Sequence, residues 1–232
     1  MKKIIDITGI IDKGMWNYEP PFPDIEIKPL PPIPWLGGKT VGCEIFEGLH
    51  SQSGTYLETP AHNFGNNNGS YALIEVPAEK IYEIPCVVLN IGPFEMNPEE
   101  GRHPITVEEL KACPNADQIR EGDAVIVGTG WGKYWFHPDN LKYAPYFTTD
   151  AMEWIINQKP FLIGGDTARW DCLEDPQAFW DDFYGNDILM GGPFVDLEKV
   201  TAPRCKLTIL PPKFPITSCA PSRALIIEDG EE

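Results

Sequence analysis

Three short runs hold almost nothing but apolar residues: Cys86–Ile91 (CVVLNI), Ala124–Thr129 (AVIVGT) and Phe161–Gly165 (FLIGG). A strand with one wet face alternates apolar and polar side chains, whereas an unbroken apolar run of this length is a strand covered on both faces. The chain must therefore lay further structure over each side of a central sheet. What lies between the runs limits what that structure can be. With 24 prolines and 21 glycines, proline stands at about twice its usual share of roughly 5%. This predicts many loops and short strands and only two or three helices. The expected class is α/β with a mixed, strand-rich core and few helices.

Further strands are expected at Lys3–Thr8, Gly38–Phe46, Leu73–Val76, Cys205–Leu210 and Ala224–Ile227. Thr106 followed by Glu109 reads as a capping box that opens a helix ending at Ala112. Thr149–Asn157 is the best helix, with acidic residues early and Met152, Ile155 and Ile156 on one side. Val195–Val200 reads as a short helical turn. Residues 13–36 carry Trp16, Tyr18, Phe22 and Trp35 among prolines that bar a helix. This arm either covers a pocket, its own or a neighbouring subunit's, or simply wraps the core. The glycines of 128–135 (GTGWGKYW) lack the G-K-[ST] of a phosphate loop, so Trp131 and Trp135 wall an apolar pocket or fill the core.

Charge narrows the partners. Eighteen Lys and Arg against 35 Asp and Glu give a net charge of −17, which repels nucleic acid and anionic membranes. No apolar run approaches the roughly 18 residues of a membrane span. Asp6 interrupts the first apolar run, which argues against a signal peptide. The cysteines Cys43, Cys86, Cys113, Cys172, Cys205 and Cys219 form no C-x-x-C pair. A cytoplasmic protein with reduced thiols is the expectation.

The chemistry concentrates in Leu49–Phe64 (LHSQSGTYLETPAHNF). Read as a strand, His50–Glu58 sets His50, Gln52, Gly54, Tyr56 and Glu58 on one face. These residues could line a pocket, or be a merely solvated edge. Thr59-Pro60 ends the strand, and His62 follows at the pocket mouth, before a flexible loop at 63–70 (NFGNNNGS). A second polar cluster, Asp166, Arg169 and Asp171, follows a buried strand, where sites often form.

The stretch Gln52-SGT-Tyr56-L-Glu58-TPA-His62 resembles the signature of the cyclase family, the metal-dependent hydrolases that include bacterial kynurenine formamidases and isatin hydrolases. That signature is His-x3-His-x-Asp-x3-His. The Gly-Thr, the Pro and the last His are kept, whereas Gln52 and Tyr56 stand for the two metal-binding histidines and Glu58 for the Asp. Further blocks follow in family order: IIDIT, EGDAVIVGTGW (for GDxVLxxTGW), FLIGGDTARWD (for GIDxxSxD) and CAPSR (for GxPxR).

The resemblance implies a swivelling β/β/α fold and a single cyclase-like domain over 1–232, with 1–36 as N-terminal strand and arm. It also implies a homodimer or homotetramer and hydrolysis of a small amide, formamide or lactam, as in an arylformamidase. The family's second-half Glu falls near Gly192, and no histidine follows His137. Asp181, Asp182 or Asp187 could substitute for the missing ligands.

His62 and Glu58 are then the candidate catalytic pair, with Trp16, Tyr56 and Trp131 as substrate walls. Glu58, Gln52 and His50 are the candidate metal ligands. An all-oxygen set suits Mg2+, Mn2+ or Ca2+ better than Zn2+, while His50 would add one nitrogen. A metal-free site is the other reading. The rival to a hydrolase is a non-catalytic small-molecule-binding protein that keeps the fold.

Overall fold

In the computed structural model, residues 2–65 and 70–229 are described. Of the loop expected at 63–70, residues 66–69 lie outside them. The three apolar runs become the strands Ile84–Asn90, Ala124–Gly128 and Leu162–Gly165, which pair in parallel. Leu189–Gly192 extends this parallel centre. Antiparallel strands close both sides. Cys205–Leu210, Arg223–Glu228 and Lys3–Asp6 lie beyond Ile84–Asn90. Tyr56–Glu58 and then Cys219–Pro221 lie beyond Leu189–Gly192. The result is a nine-stranded sheet.

Alternate residues of the apolar runs enter two separate cores. Val87, Leu89, Val125, Val127 and Ile163 pack against helix residues such as Leu110, Met152, Ile155 and Phe183. Cys86, Val88, Ala124, Ile126 and Leu162 enter a second core that also takes Ile5, Leu57, Leu189, Leu207, Ala220 and Ile226. Every strand of the sheet contributes to that second core, so one sheet face meets itself. This is possible only because the sheet curls, as twisted strands do. Both faces of the central strands are covered, which is what their continuous apolar sequence requires.

The helices are short. Val107–Ala112 begins at Thr106 with the expected capping box: the Thr106 hydroxyl accepts from Glu109 N (3.3 Å) and Glu109 accepts from Thr106 N (2.9 Å). Thr106→Ala is expected to cost ~1 kcal/mol, read as a lower denaturant midpoint at unchanged slope. Thr149–Ile156 buries Met152, Ile155 and Ile156 as expected, and Leu197–Lys199 is the helical turn foreseen at Val195–Val200.

Several expectations are corrected. Leu73–Glu75 is a 3-10 turn, not a strand; a four-residue run with three apolar positions fits either state by pattern alone. Of Gly38–Phe46, only Glu44 onward is extended. The strand Glu44–Glu47 pairs with Glu26–Pro29 in an exposed two-stranded ribbon apart from the main sheet. Leu189–Gly192, Cys219–Pro221 and the helix Trp180–Gly185 were not foreseen. No helix among the described residues is long and apolar enough to cross a membrane.

Candidate active site

The strand expected over His50–Glu58 is extended only from Tyr56 to Glu58. The break is Gly54, whose φ of +70° turns the chain. A side chain there would both strain the backbone and meet Ile11 at 2.6 Å. Thr55 then pins the strand start: its hydroxyl donates to Pro193 O (2.7 Å) and accepts from Gly9 N (2.9 Å). After Glu58, Pro60 starts the short helix Ala61–Phe64, which returns His62 one turn above Glu58.

Glu58 is buried at the floor of a cleft of about 300 Å3. Tyr184 donates to its Oε1, and Gln52 Nε2 donates to Oε2 at 3.1 Å. His62 Nδ1 lies 3.5 Å from the same oxygen, with 41% of its side chain exposed. Burial pushes the Glu58 carboxyl up from its usual range, opposed by His62, Tyr184 and Gln52. Tyr18 OH donates to Ala168 O (2.8 Å), so its single hydrogen is used. The 3.1 Å contact between Tyr18 and Tyr56 is therefore a bond that Tyr56 donates. Burial raises both phenols well above their ordinary range and keeps them neutral.

The walls are aromatic. Trp180 lies nearly parallel to Trp170 (13°, centroids 6.3 Å) and to Tyr184 (17°, 5.7 Å), and Tyr18 and Phe22 face them across the cleft. At the rim, Arg169 pairs with Glu19 (3.2 Å).

The structure thus brings Gln52, Tyr56, Glu58 and His62 together. It does not add His50, Trp16 or Trp131. The turn at Gly54 swings His50 away, so that its Nε2 meets Asn17 (3.0 Å) and its ring packs on Phe22. Trp16 is buried one layer back, edge-on behind Tyr18 at 5.4 Å. Trp131 is buried in its own niche, where its indole donates to Asn140 O (3.3 Å). Asp166 is also structural. It accepts from Thr129 N, Thr129 Oγ1 and Trp131 N, and so clamps the Gly128–Trp131 loop.

The residues near the family's missing second half do not refill it. A Cβ at Gly192 would stand 2.6 Å from Gly165 O, so no glutamate fits there. Asp181, Asp182 and Asp187 are exposed; Asp181 accepts from Asn63 and Asp187 from Tyr71. The same segment instead sends Tyr184 to Glu58. The spacing of Trp180 and Tyr184, four apart, was the available signal for that shared face.

Gln52 and Tyr56, at the two histidine positions of the motif, do not fit a divalent ion. A carboxylate turns the NH2 of Gln52, not its carbonyl, toward Glu58, and Tyr56 is a neutral donor, so neither offers an anionic ligand. One group among the described residues could hold a metal: Glu58, His62 and Cys219, whose ligand atoms lie within 4.8 Å of one another. Cys219 had no local sequence signal. It reaches the site by pairing directly across from Glu58 in the sheet.

The Cyclase family model, described as "Putative cyclase", matches residues 5–172. An isatin hydrolase bound to the product analogue thioisatinate has a TM-score of 0.79 at 19% identity, covering 99% of this chain and 93% of that one. Isatin hydrolase A from Ralstonia solanacearum gives 0.76 at 18% identity, covering 98% and 92%. A predicted metal-dependent hydrolase from Bacillus stearothermophilus gives 0.72 at 18%, covering 98% of each chain. No protein of curated function matches.

Proposed function

The chain belongs to the cyclase family, and from that premise we propose that it hydrolyses a small, flat amide, formamide or lactam. The observation that carries this reading is the pairing of buried Glu58 with cleft-facing His62 beneath the aromatic wall. Solved structures with this fold include isatin hydrolases, one of them bound to a product analogue, which supports the choice of a small ring as substrate.

The aromatic faces of Trp180 and Tyr184 take the ring by stacking. Glu58, held by Tyr184 and Gln52, faces Nδ1 of His62. Closing that 3.5 Å gap in the substrate complex places the Nδ1 proton on Glu58's side and leaves Nε2 to accept a proton from water. Water attacks the carbonyl carbon, the imidazolium is stabilised by Glu58, and its proton passes to the departing nitrogen as the C–N bond breaks. No step is routed through a metal, because Gln52 and Tyr56 do not fit one.

An assay with an N-formyl arylamine, isatin and an aliphatic amide of similar size tests the substrate class. The aromatic substrates should turn over and the aliphatic one should lag. Trp180→Ala should raise KM for the aromatic substrates ~10-fold with a smaller change in kcat. Equal rates on all three, or no effect of Trp180→Ala, would contradict the stacking account. The rival reading, a binder without chemistry, is favoured by one observation: Gly192 has no room for the family's glutamate.

A further inference from the structure

The hydrolytic reading leaves one reactive group beside the site unused. Cys219 is buried, lies opposite Glu58 in the ladder and donates to Ser51 Oγ at 3.2 Å. With Glu58 and His62 it offers sulfur, oxygen and nitrogen within 4.8 Å. The gap from His62 Nδ1 to Glu58 Oε2 is 3.5 Å. That is longer than the ~2.7–2.9 Å of a charge-assisted hydrogen bond. It is close to the ~3.4 Å between a nitrogen and an oxygen held tetrahedrally at zinc bond lengths of about 2.0–2.2 Å.

Such a set differs from the family signature, whose ligand positions are filled here by Gln52 and Tyr56. A thiolate in the shell also selects a softer cation than an all-oxygen shell does. The role of His62 would change with it. An imidazole bound through Nδ1 keeps its remaining proton on Nε2 and can no longer accept one from water. Glu58 would be committed as well, so the cleft would lose its proton acceptor.

We propose that Glu58, His62 and Cys219 form a zinc-class cation site, and that a cation bound there switches the hydrolysis off. On binding, the Cys219 thiol gives its proton to solvent and the cation takes its place on sulfur. The second half of the proposal rests on the reading that His62 moves the proton; the first half does not.

The test uses full-length protein stripped with a chelator and titrated with Co2+, whose thiolate complexes absorb in the near ultraviolet. The expected result is one ion per chain with a thiolate-to-cobalt band that Cys219→Ser abolishes. The variant should bind at least ~10-fold more weakly, since loss of a mere outer-shell partner already costs 10–100-fold. Because Cys219→Ser could fold poorly, cobalt X-ray absorption on the unaltered protein reads directly whether a sulfur is bound. Binding without the band, a band that survives Cys219→Ser, no binding at all, or no bound sulfur would overturn the site. Zn2+ should also inhibit turnover of an N-formyl arylamine, and stimulation by Zn2+ would overturn the switch. A protein with no turnover in any state would defeat the hydrolytic reading, and the switch with it, while the cobalt band still decides the site.

Discussion

His62→Ala is expected to lower kcat/KM for an aromatic amide by ~100-fold or more, the scale on which a positioned acid–base group acts, while thermal unfolding stays unchanged. The two halves of this expectation have separate causes. Among the described residues His62 is the only imidazole lining the cleft, and it stands directly beside the buried carboxylate. Its side chain is 41% exposed and its contact with Glu58 spans 3.5 Å, so its removal opens no cavity and strands no tightly bonded donor. Glu58→Gln should differ. Glu58 is buried and accepts from Tyr184 and Gln52, so that variant should lose both activity and stability. Undiminished turnover by His62→Ala would remove the imidazole from the mechanism.

The largest stability effect is expected at Asp166, away from the chemistry. Its buried carboxylate receives Thr129 N at 2.9 Å, Thr129 Oγ1 at 2.7 Å and Trp131 N at 3.1 Å. Asp166→Ala leaves two buried backbone N–H groups without acceptors, at ~1–3 kcal/mol each, so a loss of ~3 kcal/mol or more is expected. Burial pushes the carboxyl from 3.8 up to about 6 despite these donors. A carboxyl raised in the folded state stabilises most below its unfolded pKa and loses that contribution as pH rises through its folded pKa. The gap between native protein and Asp166→Ala, measured by chemical denaturation, should therefore be widest near pH 4 and narrow toward pH 6. A gap that widens over that range would mean the three hydrogen-bond donors outweigh burial.

The central sheet was legible because Cys86–Ile91, Ala124–Thr129 and Phe161–Gly165 are apolar without alternation, a pattern that only two-sided burial explains. The Thr106 cap was legible because its chemistry is local. The site was legible only along the chain. Gln52, Tyr56, Glu58 and His62 lie within eleven positions and do converge. His50 does not, because one glycine with positive φ breaks the alternation that seemed to carry it. The strand Leu189–Gly192 is half glycine and hides among aromatic and acidic neighbours. Cys219 and Tyr184 were out of reach for another reason: both meet Glu58 through contacts formed across more than a hundred residues of chain. Trp16 and Trp131 show the limit of residue type as a guide. Large aromatic residues suit a core as well as a cleft, and these two fill niches behind the site.

The most direct test of a hydrolytic cleft at Glu58 and His62 is turnover of an N-formyl arylamine in 18O-labelled water, with native protein and Glu58→Gln side by side and products read by mass spectrometry. The account predicts free arylamine and formate carrying one solvent oxygen from the native protein, and neither from Glu58→Gln. Substrate recovered intact from the native protein, yet raising its thermal midpoint, would contradict the account and make the cleft a binding site without chemistry.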